Sequence, residues 1–324
     1  MTNTFTIGRR RAKNCTTAPT ARRAARSARP AWEEPPTAAG QTAKGLTLGA
    51  MLAAVLVPLY IIVLTSVSSP GAVNRAGGLV TWPDGLSLQA YREMLGDSTV
   101  RTALLVSLGI TGVGTALSMV VSVLCAYGMS RSRSFGHRPI LVLLIVTMFV
   151  SGGMIPTFLV VTGLGGYNQW WALILPGSVS VFNILVLRSF YSSTSGELID
   201  AARMDGAGDW RILWSVVLPT SRAVTAVIAL FYGVGYWNSF FNVMLYMPTE
   251  SEKWPLQYVL LTYVNRGVGL PGSVNSGFGS ATAQTAPLSL QMAVVVLTLV
   301  PLLVVYPFVQ KHFRTGVLTG AIKG

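Results

Sequence analysis

Residues 194–219 carry the densest pattern of chemically suggestive side chains in the chain. Thr194 and Glu197 stand three apart, the spacing of a capping box, and Leu198, Ala201, Ala202 and Asp205 follow at helical intervals on one face. Gly206 and Gly208 supply the backbone freedom to end that helix and turn. Asp209 can cap a second helix, in which Trp210, Leu213, Trp214 and Val217 again recur at helical spacing, and Pro219 closes it. Two short amphipathic helices joined by a glycine turn, with Ala201 and Ala202 small enough for close approach, suit docking into a groove of another protein.

A second set of polar residues lies inside apolar stretches: Asn183, then Tyr232, Tyr236, Trp237, Asn238, Ser239 and Asn242. Asn238 and Asn242 share a helical face with Gly235, and Trp237 shares one with Phe241. Amides hydrogen-bond sugar hydroxyls, and aromatic faces cover the apolar side of a pyranose ring. Asparagine and glycine also serve as glue between membrane helices, so a substrate pathway and inter-helix packing both remain open here.

Other chemistries lack their residues. There is no G-x-x-x-x-G-K-[ST] loop to cradle nucleotide phosphates, so the chain is not expected to hydrolyse ATP, and no cofactor is implied. Cys15 sits in a basic segment and Cys125 in an apolar one, while His137 and His312 each stand among basic residues, so no disulfide framework or metal site is indicated. No nucleophile–base set or carboxylate pair falls in the apolar stretches, which counts against an enzyme. Ser151-Gly152-Gly153, beside Pro156 in an apolar stretch, reads as a flexible helix break.

The elements that must position these residues are membrane helices. The 324 residues are 51% hydrophobic and only 11% charged, with a mean hydropathy of +0.54, too apolar for a water-soluble surface. Six apolar stretches of about 20 residues or more are expected to span a bilayer, at 46–66, 102–129, 139–162, 170–187, 223–247 and 288–310. Nine of the 24 Lys and Arg residues precede residue 45, which would be a disordered basic tail. The net charge of +13 then reflects a topological bias and not nucleic-acid binding, since alternate segments counted from the N-terminus hold 19 basic residues against 5 in the others. Both termini and the 188–222 segment are thereby expected in the cytoplasm, with 67–101 and 248–287 outside. Ser87 is placed to cap a short outer helix through Leu95. The charge-free spans argue against an ion pump or proton-coupled carrier and favour a neutral substrate.

The run Asp200-Ala201-Ala202, Gly206, Val216 and Leu218-Pro219 resembles the EAA loop of permeases from binding-protein-dependent ABC importers, with Asp200 for the usual Glu and Val216 for the usual Ile. Ala126-Tyr127 with Ser130-Arg131, the 151–157 and 171–177 stretches, 237–242 with 253–257, and the 316–324 ending resemble the maltose-type sugar permeases, in the subgroup serving oligosaccharides. Ser195 stands where that family often has Pro.

The resemblance implies an all-α, six-span type I importer (MetI-like) fold. Its parts would be a basic tail over 1–44, a first span with its outer segment over 45–97, a permease core over 98–310 and a cytoplasmic tail over 311–324. It also implies a plasma-membrane location, a second homologous permease, an ATPase dimer that consumes ATP, an extracellular sugar-binding lipoprotein and surrounding lipid. The coupling element to the ATPase would be Asp200, Ala201, Ala202, Gly206, Val216, Leu218 and Pro219. A membrane receptor or scaffold using the same hairpin without transport is the alternative.

Overall fold

A computed structural model describes residues 37–131, 136–150, 152–194, 196–266 and 288–321, and among them every regular element is a helix. An isolated bridge pairs Ser68 with Leu86. The chain separates into a unit over 1–55 and one over 56–324. Helix α1 (Ala38–Ser66) runs from the first into the second. It starts ahead of the expected boundary at 45: Thr37 Oγ1 accepts the Gly40 amide at 3.2 Å, and the alanines that follow are strong helix formers. The disordered tail expected over 1–44 is helical from Ala38 onward, and its 1–36 part lies outside the described residues.

Within the second unit, α2 (Pro70–Arg75) and α3 (Gln89–Gly96) are short. The Ser87 hydroxyl accepts the Gln89 amide at 3.2 Å at the start of α3, although Leu88 and not Ser87 holds the N-cap position. Asp97 then caps the 33-residue α4 (Ser98–Ser130), taking the Thr99 amide at 2.8 Å. This helix is the spine of the unit. One face of it carries Ser107, Gly114, Ser118 and Ser122, all buried, and small residues there let the neighbouring helices approach.

The expected third, fourth and fifth spans are interrupted. The third is α5 (His137–Phe149) and α6 (Met154–Gly163), broken around Gly152 and Gly153; Gly153 has φ of +80°, which a residue with a Cβ rarely adopts. The fourth is α7 (Trp171–Ile174) and α8 (Val181–Thr194), separated at Pro176-Gly177, where proline has no amide to donate. Tyrosines of a later helix take over the freed groups: Tyr236 Oη donates to the Ile174 carbonyl at 2.9 Å, and the Ser180 amide donates to Tyr232 Oη at 3.1 Å.

Next come α9 (Gly196–Met204), α10 (Asp209–Ile212), a π-turn over Leu213–Val217 and α11 (Leu218–Thr220). The fifth expected span is α12 (Arg222–Trp237) and α13 (Phe241–Tyr246), interrupted at Asn238. Helices α14 (Leu256–Arg266) and α15 (Leu288–Ala321) complete the described residues. By length and composition three helices are able to cross a membrane, α1, α4 and residues 288–307 of α15, or up to five spans if bent pairs count as one. Six continuous spans are therefore not seen among the described residues.

The core lies where α4, α8, α12, α14 and α15 meet, with Ile184, Leu187, Ile228, Val259 and Val294 fully buried. Tyr232 and Ser122 hydroxyls meet at 2.7 Å and Tyr236 and Ser118 at 2.9 Å, fastening α12 to α4. Gly114 is required by that contact, because a Cβ there would lie 2.9 Å from the Tyr236 ring. The Trp237 indole donates to the Thr298 carbonyl at 3.1 Å and ties α12 to α15.

Candidate functional site

The helix, glycine turn and helix expected at 196–219 are present. Helix α9 ends in a Schellman motif: the Ala207 amide donates to the Ala202 carbonyl at 3.0 Å and the Gly206 amide to the Arg203 carbonyl at 2.9 Å. Gly206 occupies the left-handed position at φ +78°, and nothing lies within 4 Å of where its Cβ would be. The expected Thr194–Glu197 capping box rests on side chains outside the described residues.

The apolar faces divide differently from the sequence expectation. Ala202 and Ala207 pack with Ile199 against the chain's own core, whereas Leu198, Ala201 and Asp205 are exposed. In the second limb Ile212, Leu213 and Val217 are buried, but Trp210 and Trp214 are 66% and 65% exposed. The π-turn is the cause. Its i→i+5 closure, with the Leu218 amide on the Leu213 carbonyl, retards Val217 around the axis until it aligns with Ile212 and Leu213, which leaves both tryptophans outside. With Met204, 88% exposed, they give the hairpin an apolar surface that its own chain does not cover. Val216, Leu218 and Pro219 are half-buried on the inner side.

Asp209 is not the cap. Gly208 holds the N-cap position, and Asp209 opens α10 with its carboxylate on Arg131 at 2.5 Å. Tyr127 Oη donates to the Asp209 backbone carbonyl at 3.0 Å, Arg131 Nη2 donates to Tyr127 Oη, and the Arg131 guanidinium lies 4.5 Å from the Tyr127 ring centroid. Sequence reasoning singled out Tyr127 and Arg131 only as part of a resemblance. The signal that they serve the hairpin is spatial, across 82 residues. Arg188 Nε adds a bond to the Met129 carbonyl at 2.9 Å, and Asp200 forms only a loose 3.9 Å pair with Arg203.

The second candidate set does not converge. Tyr236 and Trp237 are buried, with their polar atoms used inside the chain as described above. Asn238 is exposed and its Nδ2 donates to the Val234 carbonyl at 3.0 Å; half-buried Asn242 donates to Ser239 Oγ at 3.2 Å. Asn183 is buried in α8. A cleft of about 580 Å³ between α4, α12 and α15 touches the set only through Trp237. Its lining is apolar apart from Thr111 and Thr115, lacking the convergent polar groups a sugar site needs.

A family profile described as "Binding-protein-dependent transport system inner membrane component" matches residues 118–319. The polygalacturonan/rhamnogalacturonan transport system permease protein YtcP of Bacillus subtilis (strain 168) is 42% identical over 75% of this chain and 84% of its own length. Protein LplC of the same organism is 36% identical over 86% of this chain and 93% of its own. A chain of a bacterial ABC transporter involved in import of the acidic polysaccharide alginate superimposes with a TM-score of 0.76 at 29% identity, covering 84% of this chain and 96% of that one. The chain belongs to the family of binding-protein-dependent transport system inner membrane components and is a permease subunit of such a system.

Proposed function

We propose that this permease carries an oligosaccharide across the plasma membrane and takes its energy from an ATPase docked on the 196–220 hairpin. The observation that carries the reading is the hairpin's rigid build with an uncovered apolar surface: the Schellman closure at Gly206 and the π-turn hold Met204, Trp210 and Trp214 outward. Such a surface suits burial in a groove of a partner. A polysaccharide-transport permease and the alginate importer among the relatives support the oligosaccharide.

The chain crosses the bilayer six times in this reading, by α1, α4 and α15 as single helices and by α5–α6, α7–α8 and α12–α13 as interrupted ones. Both termini and the hairpin lie in the cytoplasm, in accord with the basic-residue bias. A homologous second permease completes the pathway, an external binding protein delivers the sugar, and the ATPase dimer alone consumes ATP. Of the polar candidates, Asn183, Asn238 and Asn242 are kept as pathway contacts, because the tyrosine and tryptophan groups are spent on packing against other helices, whereas the Asn238 and Asn242 amides bond only within their own segment.

The test combines co-purification of the ATPase with uptake of labelled oligogalacturonides, alginate oligosaccharides and raffinose by cells carrying the complete system. Trp214→Ala should remove most of the bound ATPase and lower uptake about tenfold or more, as truncating an aromatic anchor does. Retention of the ATPase with full uptake would leave the hairpin without a docking role and favour a scaffold. Import of raffinose but neither acidic oligosaccharide would narrow the substrate to neutral sugars.

A further inference from the structure

Besides following α8 in the chain and burying Ile212, Leu213 and Val217, the hairpin has two further links to the helical core. One is covalent: the 209–220 segment runs into α12 through a bend of 86°. The other is the contact with the end of α4. Asp209 is 66% exposed, and an isolated ion pair so placed contributes little. This one is not isolated. Arg131 is only 21% exposed, lies against the Tyr127 ring and donates to its hydroxyl, which in turn donates to the Asp209 main chain. Side chain and backbone of a single hairpin residue are thus both gripped by Tyr127, in the last turn of α4, and Arg131, which caps its C-terminal end.

That grip is redundant for holding the hairpin in place, since Ile212, Leu213 and Val217 already anchor it by burial. It is directed instead at α4, a core helix remote from the hairpin in the chain, whereas α8 precedes the hairpin and α12 follows it. Helices α4 and α12 are fastened to each other further along by Tyr232–Ser122 and Tyr236–Ser118. Pulling on α12 alone would shear those bonds.

We propose that Tyr127 and Arg131 are positioning residues that pass displacement of the hairpin to α4, so that α4 and α12 shift as one body during the transport cycle. The inference rests on the hairpin being the docking element proposed above.

Cys125, half-buried on α4 just before Tyr127, is a native reporter. In a Cys15→Ser background, its modification by N-ethylmaleimide is followed on this chain by mass, in the complete complex with and without ATP and vanadate. The wild-type rate should differ about fivefold or more between the two states, and Arg131→Ala should reduce that difference to less than about twofold. Exchanging the pair, Arg131→Asp with Asp209→Arg, should restore part of it. The ATPase should still co-purify with Arg131→Ala, whereas its presence or absence on Trp214→Ala reads the docking proposal separately. A wild-type rate indifferent to nucleotide, or a nucleotide dependence that survives Arg131→Ala, would overturn the inference. Loss of the ATPase from Arg131→Ala would overturn it as well, since the pair would then shape the docking surface.

Discussion

Tyr236 joins three parts of the molecule through one side chain. Its hydroxyl meets Ser118 of α4 and the Ile174 carbonyl of the α7–α8 break, and its ring lies on Gly114. Gly114→Ala forces a methyl against a buried ring, and overpacking of this kind costs roughly 1–3 kcal/mol. Tyr236→Phe strands a hydroxyl and a carbonyl, at about 1–3 kcal/mol. Both should lower the thermal unfolding midpoint of the purified protein in detergent, and Gly114→Ala should cost much less in a Tyr236→Ala background, where the ring is gone. The sequence shows two tyrosines, Tyr232 and Tyr236, with a tryptophan and two asparagines in an apolar stretch. It does not show which of them face a neighbour, because the deciding partners are remote: Ser118 lies 118 residues from Tyr236.

The hairpin shows how local rules and tertiary packing divide the work. Gly206 as a turn was legible from local rules alone, since a helix end followed by glycine is a local event, and the Schellman motif closes as those rules require. The direction of the apolar residues in the second limb was not, because the π-turn shifts the register that a regular period assumes. Since open space surrounds the Gly206 Cβ position, its substitutions act through backbone conformation. Gly206→Ala should cost about 1 kcal/mol and Gly206→Val more, while Gly206→Asn, which tolerates the left-handed region, should keep most transport. Uptake measured at equal membrane abundance ranks the three. Ala201→Glu probes the docking surface more cleanly than Ala202→Glu, since Ala201 is exposed and Ala202 packs on the chain's own core. The expected result is loss of ATPase co-purification with an unchanged unfolding midpoint.

At the scale of the whole molecule, hydropathy located the long apolar helices but neither their continuity nor α14, which lies in the segment read as an outer connector yet buries Leu256 and Val259 in the core. The break at Pro176-Gly177 depends on which neighbours satisfy the freed backbone, and those neighbours, Tyr232 and Tyr236, come from another helix. Topology is testable with single cysteines in a Cys15→Ser, Cys125→Ser background. Ser215→Cys and Glu252→Cys are both at exposed positions. A membrane-impermeant maleimide applied to intact cells should label Glu252→Cys and spare Ser215→Cys. The opposite pattern would invert the orientation and detach the hairpin from any cytoplasmic ATPase.

The interruption at Pro176-Gly177 also bears on how the protein is made. The Ile174 carbonyl and the Ser180 amide are bonded by Tyr236 and Tyr232, which lie 62 and 52 residues further along the chain. Translation delivers the donor and acceptor groups of this break to the insertion machinery well before the tyrosines that satisfy them. In the six-span reading, those two bonds cannot form until α12 arrives, so the lasting membrane placement of this segment would be a post-insertional event that waits on a later helix.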